Sequence, residues 1–271
     1  MSAREGILTR DTRSSSDNRT VPSLSATVIT RNEARNIARA IRSLACADEV
    51  IVVDSRSTDG TTAIAESLGA RVISHAFESF SAQKNFATAQ ACHDWILSLD
   101  ADEELDADAQ RALQQWRTSQ PRANGYRFAR CAQYLGRWIR HSGWYPDYKL
   151  RLFDRRRGQW QGASVHEAVA VEGPIGILPG QILHYTCDSL KEHRERIEFY
   201  TDLAAREMFE RRERAGTLRR MLVPAWIFVQ TYIFRAGILD GWQGFLIARM
   251  AARYVARKFE KLDELWQTEY P

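Results

Sequence analysis

Short apolar, β-branched runs alternate with helically spaced stretches along the N-terminal half of the chain, and few folds accommodate that alternation. Leu24 to Ile29 is such a run; Thr30-Arg31-Asn32-Glu33 breaks it, and Ala34 to Leu44 takes helical spacing. Glu49 to Val53 ends at the polar stretch Asp54 to Thr61, after which Thr62 to Leu68 is again helical and Gly69 suits the left-handed residue that closes a helix. Arg71 to Ser74 predicts a third strand, Ser81 to Ala91 a third helix and Trp95 to Leu99 a fourth strand. Strands that alternate with helices form a parallel sheet with helices on both faces. Ligands then bind beyond the carboxyl ends of the strands. Thr30 to Glu33, Asp54 to Asp59 and Asp100 to Asp102 each follow a different strand, so three polar loops are expected to meet at one crevice.

The stretch Trp95 to Glu103 delivers two acids, Asp100 and Asp102, spaced i, i+2 at the end of an apolar run. Hard carboxylate oxygens placed this way suit Mg²⁺ or Mn²⁺ bridging phosphates. Acids also favour helix N-termini, so the pair by itself reads equally as the start of a helix. Neither a G-x-G-x-x-G nor a G-x-x-x-x-G-K-[ST] segment is present, which argues against dinucleotide cofactors and P-loop chemistry.

Beyond Asp102 the pattern changes. Asp106 to Gln115 predicts a helix, and Gly125 to Tyr134 and Lys149 to Phe153 predict antiparallel strands that make the sheet mixed. Arg151, flanked by Leu150 and Leu152, points away from its neighbours, either toward a phosphate or as an ordinary surface arginine. His184 ends the run Ile182-Leu183; an imidazole there either completes a Mn²⁺ shell or is a hydrogen-bonded structural residue. Ser189 to Arg214 is a long charged helix with Asp188 or Ser189 as its cap. Leu222 to Phe234 is the most apolar stretch, shorter than the roughly 20 residues a bilayer span needs. With Trp226, Tyr232, Trp242 and Phe245 near arginines, it reads as an interfacial membrane anchor or as a buried packing helix. Arg249, Arg253, Arg257, Lys258 and Lys261 follow on a helix whose basic face suits anionic lipid.

These readings divide the chain into a polar, disordered lead-in (1–22), an α/β domain (23–187) and a helical C-terminal region (188–271). The lead-in lacks the apolar core of a signal sequence, and four cysteines without zinc spacing fit a reducing, cytoplasmic setting. Net charge is only +4, but arginine crowds into Arg151 to Arg157, Arg194 to Arg220 and Arg249 to Lys261. Such faces suit anionic lipid or phosphorylated saccharide. Nucleic acid is not expected as a partner, because no recognised module or stacking platform accompanies the charge.

The motifs in combination resemble the family 2 glycosyltransferases of the GT-A fold, inverting enzymes that use nucleotide sugars. Ser25 to Asn36 resembles the family's first strand and nucleotide loop, Val52 to Thr61 its second, and Leu99-Asp100-Ala101-Asp102 its D-x-D, with Gln83-Lys84-Asn85 ahead of it. Trp160 to Glu167 and Gly237 to Gly241 are similar to the branch that adds sugars to lipopolysaccharide inner core, glucosyltransferases of the WaaE type.

The resemblance implies a GT-A, mainly parallel but mixed sheet flanked by helices, with a helical appendage. It further implies a base and ribose held by Thr30, Asn32, Glu33 and Asp54, Lys84 near the nucleotide, Asp100 and Ala101 beside it, and Asp102 on Mg²⁺ or Mn²⁺. Glu167 would be the base, with His166 orienting it or the acceptor. Many family members carry Glu-Asp where this chain has His166-Glu167. The implied donor is UDP-glucose and the acceptor a lipid-linked saccharide, reached by a peripheral protein on the cytoplasmic membrane's inner face. Transfer to polyprenyl phosphate or to a protein side chain is the alternative within the fold, and a non-catalytic nucleotide-binding scaffold the alternative outside it.

Overall fold

The computed structural model of the protein describes residues 21–162, 167–187 and 189–269. Strands β1 (Leu24–Thr30), β2 (Glu49–Asp54) and β3 (Arg71–Ser74) alternate with helices α1 (Ile37–Ser43), α2 (Thr61–Ser67) and α3 (Phe80–Ala89), followed by β4 (Trp95–Asp100). Then come β5 (Glu103–Leu105), α4 (Ala107–Arg117), β6 (Gly125–Tyr134), β7 (Arg137–Trp138) and β8 (Asp147–Asp154). Next are β9 (Gly158–Gln161), β10 (Ala168–Val171) and β11 (Ile175–Cys187). Helices α5 (Leu190–Glu210), α6 (Thr217–Val229) and α7 (Gly241–Glu269) close the chain, with a π-helical segment (Gln230–Phe234) and a 3-10 turn (Gly237–Asp240) between α6 and α7.

The main sheet runs β3-β2-β1-β4-β8-β6-β11-β5, with β7 paired to β6, while β9 and β10 form a separate hairpin. Strands β1 to β4 are parallel, β8 is antiparallel to both β4 and β6, and β11 is parallel to β6, so the sheet is mixed as expected. All seven residues of β1 are buried. On one face Leu24, Val28, Ile37, Leu97 and Leu99 join a core with no exposure; on the other, Ile51, Val53, Ile96 and Phe153 do the same. Each such side chain contributes roughly 1.5–3 kcal/mol of burial.

Two residues, Ala101 and Asp102, separate β4 from β5, yet three strands lie between those two in the sheet. The sheet must therefore curl until its last strands face the end of β4. That curl sets His184 opposite Glu103 in the β11–β5 register.

Helix α1 starts at Ile37, later than the apolar pattern predicts. The backbone N–H groups of Glu33 and Ala34 donate to Thr61 and Asp59 across the neighbouring loop, and Asn32 adopts φ 55°, so these residues are held outside the helix. Ser189, one of the two expected caps, accepts from the Glu192 N–H at the start of α5.

The C-terminal helices correct two expectations. No residue of α6 is buried, but Val223 packs against the α7 cluster and Thr231 of the π-helical segment is buried, so Leu222 to Phe234 is covered on one side only rather than being a buried packing helix. On α7, Lys261 bonds to Glu198 and Asp202 of α5, and Arg257 to Glu198, Glu260 and Glu264, so this part of the basic face is already neutralised.

Candidate active site

A cleft of ≈ 500 Å³ opens at the carboxyl ends of β1, β2 and β4, lined among others by Thr30, Glu33, Ser55, Asp100, Ala101, Asp102, Glu167 and His184. The first two loops are stitched to each other. The Asn32 N–H donates to Ser57 Oγ at 2.8 Å, and the Thr58 N–H donates to Asn32 Oδ1 at 2.8 Å. Asp54 accepts from the Ser57 N–H at 2.9 Å. Asn32 and Asp54 thus set the shape of the cleft wall without lining it, while Thr30 and Glu33 face the cavity. Burial raises the Glu33 carboxyl above its ordinary range; the Asn36 amide lowers it in part, and Asp102 raises it further.

The Gln83-Lys84-Asn85 motif lies on α3 and joins three walls. Gln83, fully buried, donates to Ser55 Oγ at 3.0 Å; Asn85 exchanges hydrogen bonds of 2.9 Å with the Trp160 backbone. Lys84, 1% exposed, places its ammonium 2.8 Å from Asp100 and 3.3 Å from Glu167, over the Trp160 ring. One cation therefore links the acid ending β4 to the acid preceding β10.

Asp100 also accepts from Arg151 at 3.0 Å. Burial would raise its carboxyl, but Lys84 and Arg151 overcome that and hold it far below the usual carboxylate range. Arg151 is itself buried, with its second partner Glu103 at 2.8 Å. It is not an ordinary surface arginine: buried, it donates to Asp100 and Glu103 and does not line the cleft.

Asp102 stands apart from this cluster. Its Oδ2 lies 3.2 Å from His184 Nε2, and its carbonyl accepts the Tyr185 N–H at 2.9 Å, tying the D-x-D turn to β11. Neighbouring ligands of an octahedral ion with bonds near 2.1 Å sit about 3 Å apart, so these two donor atoms fit one Mg²⁺ or Mn²⁺. Among the described residues no group of three or more His, Cys, Asp or Glu side chains is arranged for a metal. Without an ion the same contact is a hydrogen bond, the structural alternative for His184; two donors alone would leave the rest of an ion's shell to substrate phosphate oxygens and water.

Sequence reasoning missed two residues. Glu103, fully buried, holds Arg151 and Arg130; Arg130 lines the cleft and pairs with Asp147 at 2.7 Å. The only local signal was Glu103's place one residue past the D-x-D, because both partners arrive from β6 and β8. His166 lies outside the described residues.

The chain matches the family model described as glycosyl transferase family 2 over residues 25–171. It is 30% identical over 254 residues to an uncharacterized glycosyltransferase of Rickettsia prowazekii, covering 89% of this chain and 87% of the relative. It is also 30% identical over 239 residues to the lipopolysaccharide core biosynthesis glycosyltransferase LpsC of Rhizobium meliloti, covering 85% and 88%. Among solved structures, the mannosyltransferase PcManGT from Pyrobaculum calidifontis, in complex with GDP-Man and Mn2+, matches with a TM-score of 0.52 at 16% identity, covering 91% of this chain and 88% of that one.

Proposed function

Since the chain belongs to glycosyl transferase family 2 and has the GT-A fold, we propose that it transfers a sugar, with inversion, from a nucleotide diphosphate sugar to a hydroxyl of a lipid-linked saccharide. The observation that carries this reading is the pairing across the cleft: the three strand-end loops, the D-x-D turn among them, on one side, Glu167 on the other, and Lys84 bonded to both Asp100 and Glu167. LpsC, similar over most of its length, bears the name of a lipopolysaccharide core enzyme, which favours a saccharide of that class as acceptor; UDP-glucose, the donor the family resemblance implies, is the one to try first.

In this reading the nucleoside lies against Thr30, Glu33 and Ser55, and its diphosphate lies toward Asp102, His184 and Arg130. A divalent cation held by Asp102 and His184 would offset the charge growing on the departing diphosphate. Arg130, already at the cleft wall, adds a fixed positive charge there, and such preorganised charge acts strongly where water is excluded. Glu167 accepts the proton of the acceptor hydroxyl as that oxygen bonds to the anomeric carbon and the bond to the diphosphate breaks. Lys84 keeps the Glu167 carboxylate oriented and next to Asp100. Nucleoside diphosphate, protonated Glu167 and the new glycoside are the balanced products.

The test is a thermal-shift panel of nucleotide sugars with and without Mn²⁺ on the wild-type chain and Asp102→Ala. A ligand at 100 times its Kd stabilises the folded state by about 2.7 kcal/mol, which the assay resolves. A metal-dependent shift with a UDP-sugar in the wild type, absent in Asp102→Ala, is expected. No metal-dependent shift with any nucleotide sugar overturns the reading.

A further inference from the structure

Helix α6 presents a continuous apolar stripe to solvent. Leu218, Met221, Leu222, Trp226 and Val229, with Ile233 of the π-helical segment that continues it, recur on one side of the helix and are 38% to 71% exposed. At the following turn Phe234, Leu239 and Trp242 extend the stripe, each 61% to 68% exposed. The opposite side of α6 is the attached one: Val223 packs against the cluster containing Phe259 and Leu262 of α7. An exposed patch of this extent marks an interaction surface.

The charges around the stripe identify its occupant. From Arg214 to Leu239 the chain has four arginines and no Asp or Glu. Arg220 pairs with Asp263, whereas Arg214, Arg219 and Arg235 are exposed. Asp240, next in sequence, is buried and accepts from the Arg140 and His141 N–H groups and from Ser142 Oγ, so it offers no surface charge. An apolar stripe with Trp and Phe at its margins and exposed arginines on its own segment complements an anionic lipid surface, into which such a helix sinks lengthwise. No single described helix is long and apolar enough to cross a membrane; α6 with its π-helical continuation and α7 reach that length and apolarity only together, as a pair bent by 72°. Against a span, α7 buries Leu246, Ile247, Phe259 and Leu262 in the protein's own core.

The position of the stripe also fits an acceptor held in a membrane. A second hollow of ≈ 360 Å³ shares Arg130 and His184 with the main cleft and extends to Gly143 and Trp144. There the Arg235 carbonyl accepts the Ser142 N–H at 2.8 Å, and the Arg235 side chain covers Gly143 so closely that a Cβ on that glycine would lie 2.7 Å from it. The hollow therefore leads from the D-x-D end of the cleft to the turn that carries the apolar stripe.

We propose that α6 and the turn after it dock on the surface of an anionic bilayer, holding the mouth of the cleft next to lipid-borne acceptor. The inference deepens the lipid-linked acceptor reading, but its test needs no donor, metal or transfer, so the two fail separately. The full chain is sedimented with vesicles of phosphatidylcholine alone and of phosphatidylcholine with phosphatidylglycerol. Binding to the anionic vesicles is expected. It should weaken as salt rises from about 0.1 M to about 1 M, where the screening length falls from about 10 Å to about 3 Å.

The double variant Leu222→Glu/Trp226→Glu should bind at least about tenfold more weakly, because two apolar side chains no longer enter the lipid. Both positions are exposed, so its circular-dichroism melt should match wild type. Arg219→Glu, which leaves the stripe intact, should lose the preference for anionic over neutral vesicles. Failure of the wild-type chain to bind anionic vesicles, or undiminished binding by a folded double variant, overturns the proposal. So does a wild-type dimer that the double variant dissociates, since that assigns the stripe to a second copy of the chain.

Discussion

Replacing Glu103 by Gln removes a charge and almost no volume from the centre of the site. The Glu103 side chain has no exposure and accepts from Arg151 at 2.8 Å and Arg130 at 3.3 Å, while its Oε2 takes the Asp100 N–H at 3.2 Å. Burial alone would raise this carboxyl, but Arg151 foremost, with His184 and Arg130, reverses the effect and leaves it below the ordinary value. Removing one partner of a buried pair costs about 3–5 kcal/mol, because the remaining charge is stranded. Arg151 keeps Asp100 at 3.0 Å, which places Glu103→Gln at the lower end, about 3 kcal/mol. For a chain of this size about 1 kcal/mol moves Tm by about 2–4 °C, so a fall of about 6–12 °C is expected.

The natural control is Asp108→Asn, which breaks an ion pair with Arg111 whose side chains are 65% and 64% exposed, so little change is expected there. The pH dependence has a definite sign. A carboxyl with a depressed folded pKa contributes stability that is fully present above its unfolded value of about 4.3 and is lost as pH falls through the folded value. The gap between wild type and Glu103→Gln should therefore hold steady across neutral pH and narrow in acid. Calorimetric or circular-dichroism melts over a pH series measure it. A variant within about 2 °C of wild type at neutral pH, or a gap that widens on acidification, refutes the reasoning.

Glu167→Gln should lower kcat for transfer to a hydroxyl acceptor by about 10²–10⁴-fold while leaving the donor-dependent thermal shift in place; full activity would point to an acceptor that needs no deprotonation, such as a phosphate. Gly180→Ala should abolish soluble expression or cost more than about 4 kcal/mol in urea, because φ is +88° there and a Cβ would lie 2.0 Å from the Ala109 backbone nitrogen. Ser189→Ala removes the cap of α5 and should lower the urea midpoint by the equivalent of about 1 kcal/mol with an unchanged m-value.

The alternation of strands and helices from Leu24 to Asp100 was legible because side-chain period reports which face of an element is buried, and that is a property of near neighbours. The three polar loops were legible as one crevice because parallel topology sends every strand's carboxyl end the same way. Thr30, Ser55 and the D-x-D turn do line one cleft. The cap of α5 was legible for the same local reason: Ser189, one of two adjacent candidates, accepts from a backbone N–H three residues ahead.

Tertiary structure alone decided who neutralises whom. Nothing near Glu103 in sequence indicates that Arg130 and Arg151 will converge on it, since they come from strands that neighbour each other only once the sheet has curled. Lys84 was recognisable as a motif residue, but not as the cation held between Asp100 and Glu167. The basic face of α7 looked available for lipid until acids on α5 took up Arg257 and Lys261, while α6, which read equally as core, kept its apolar stripe in solvent. Periodicity determines that a side chain has an inside and an outside. Long-range packing determines what waits there, because a charge or an apolar face is satisfied by partners whose distance along the chain carries no information about their distance in space.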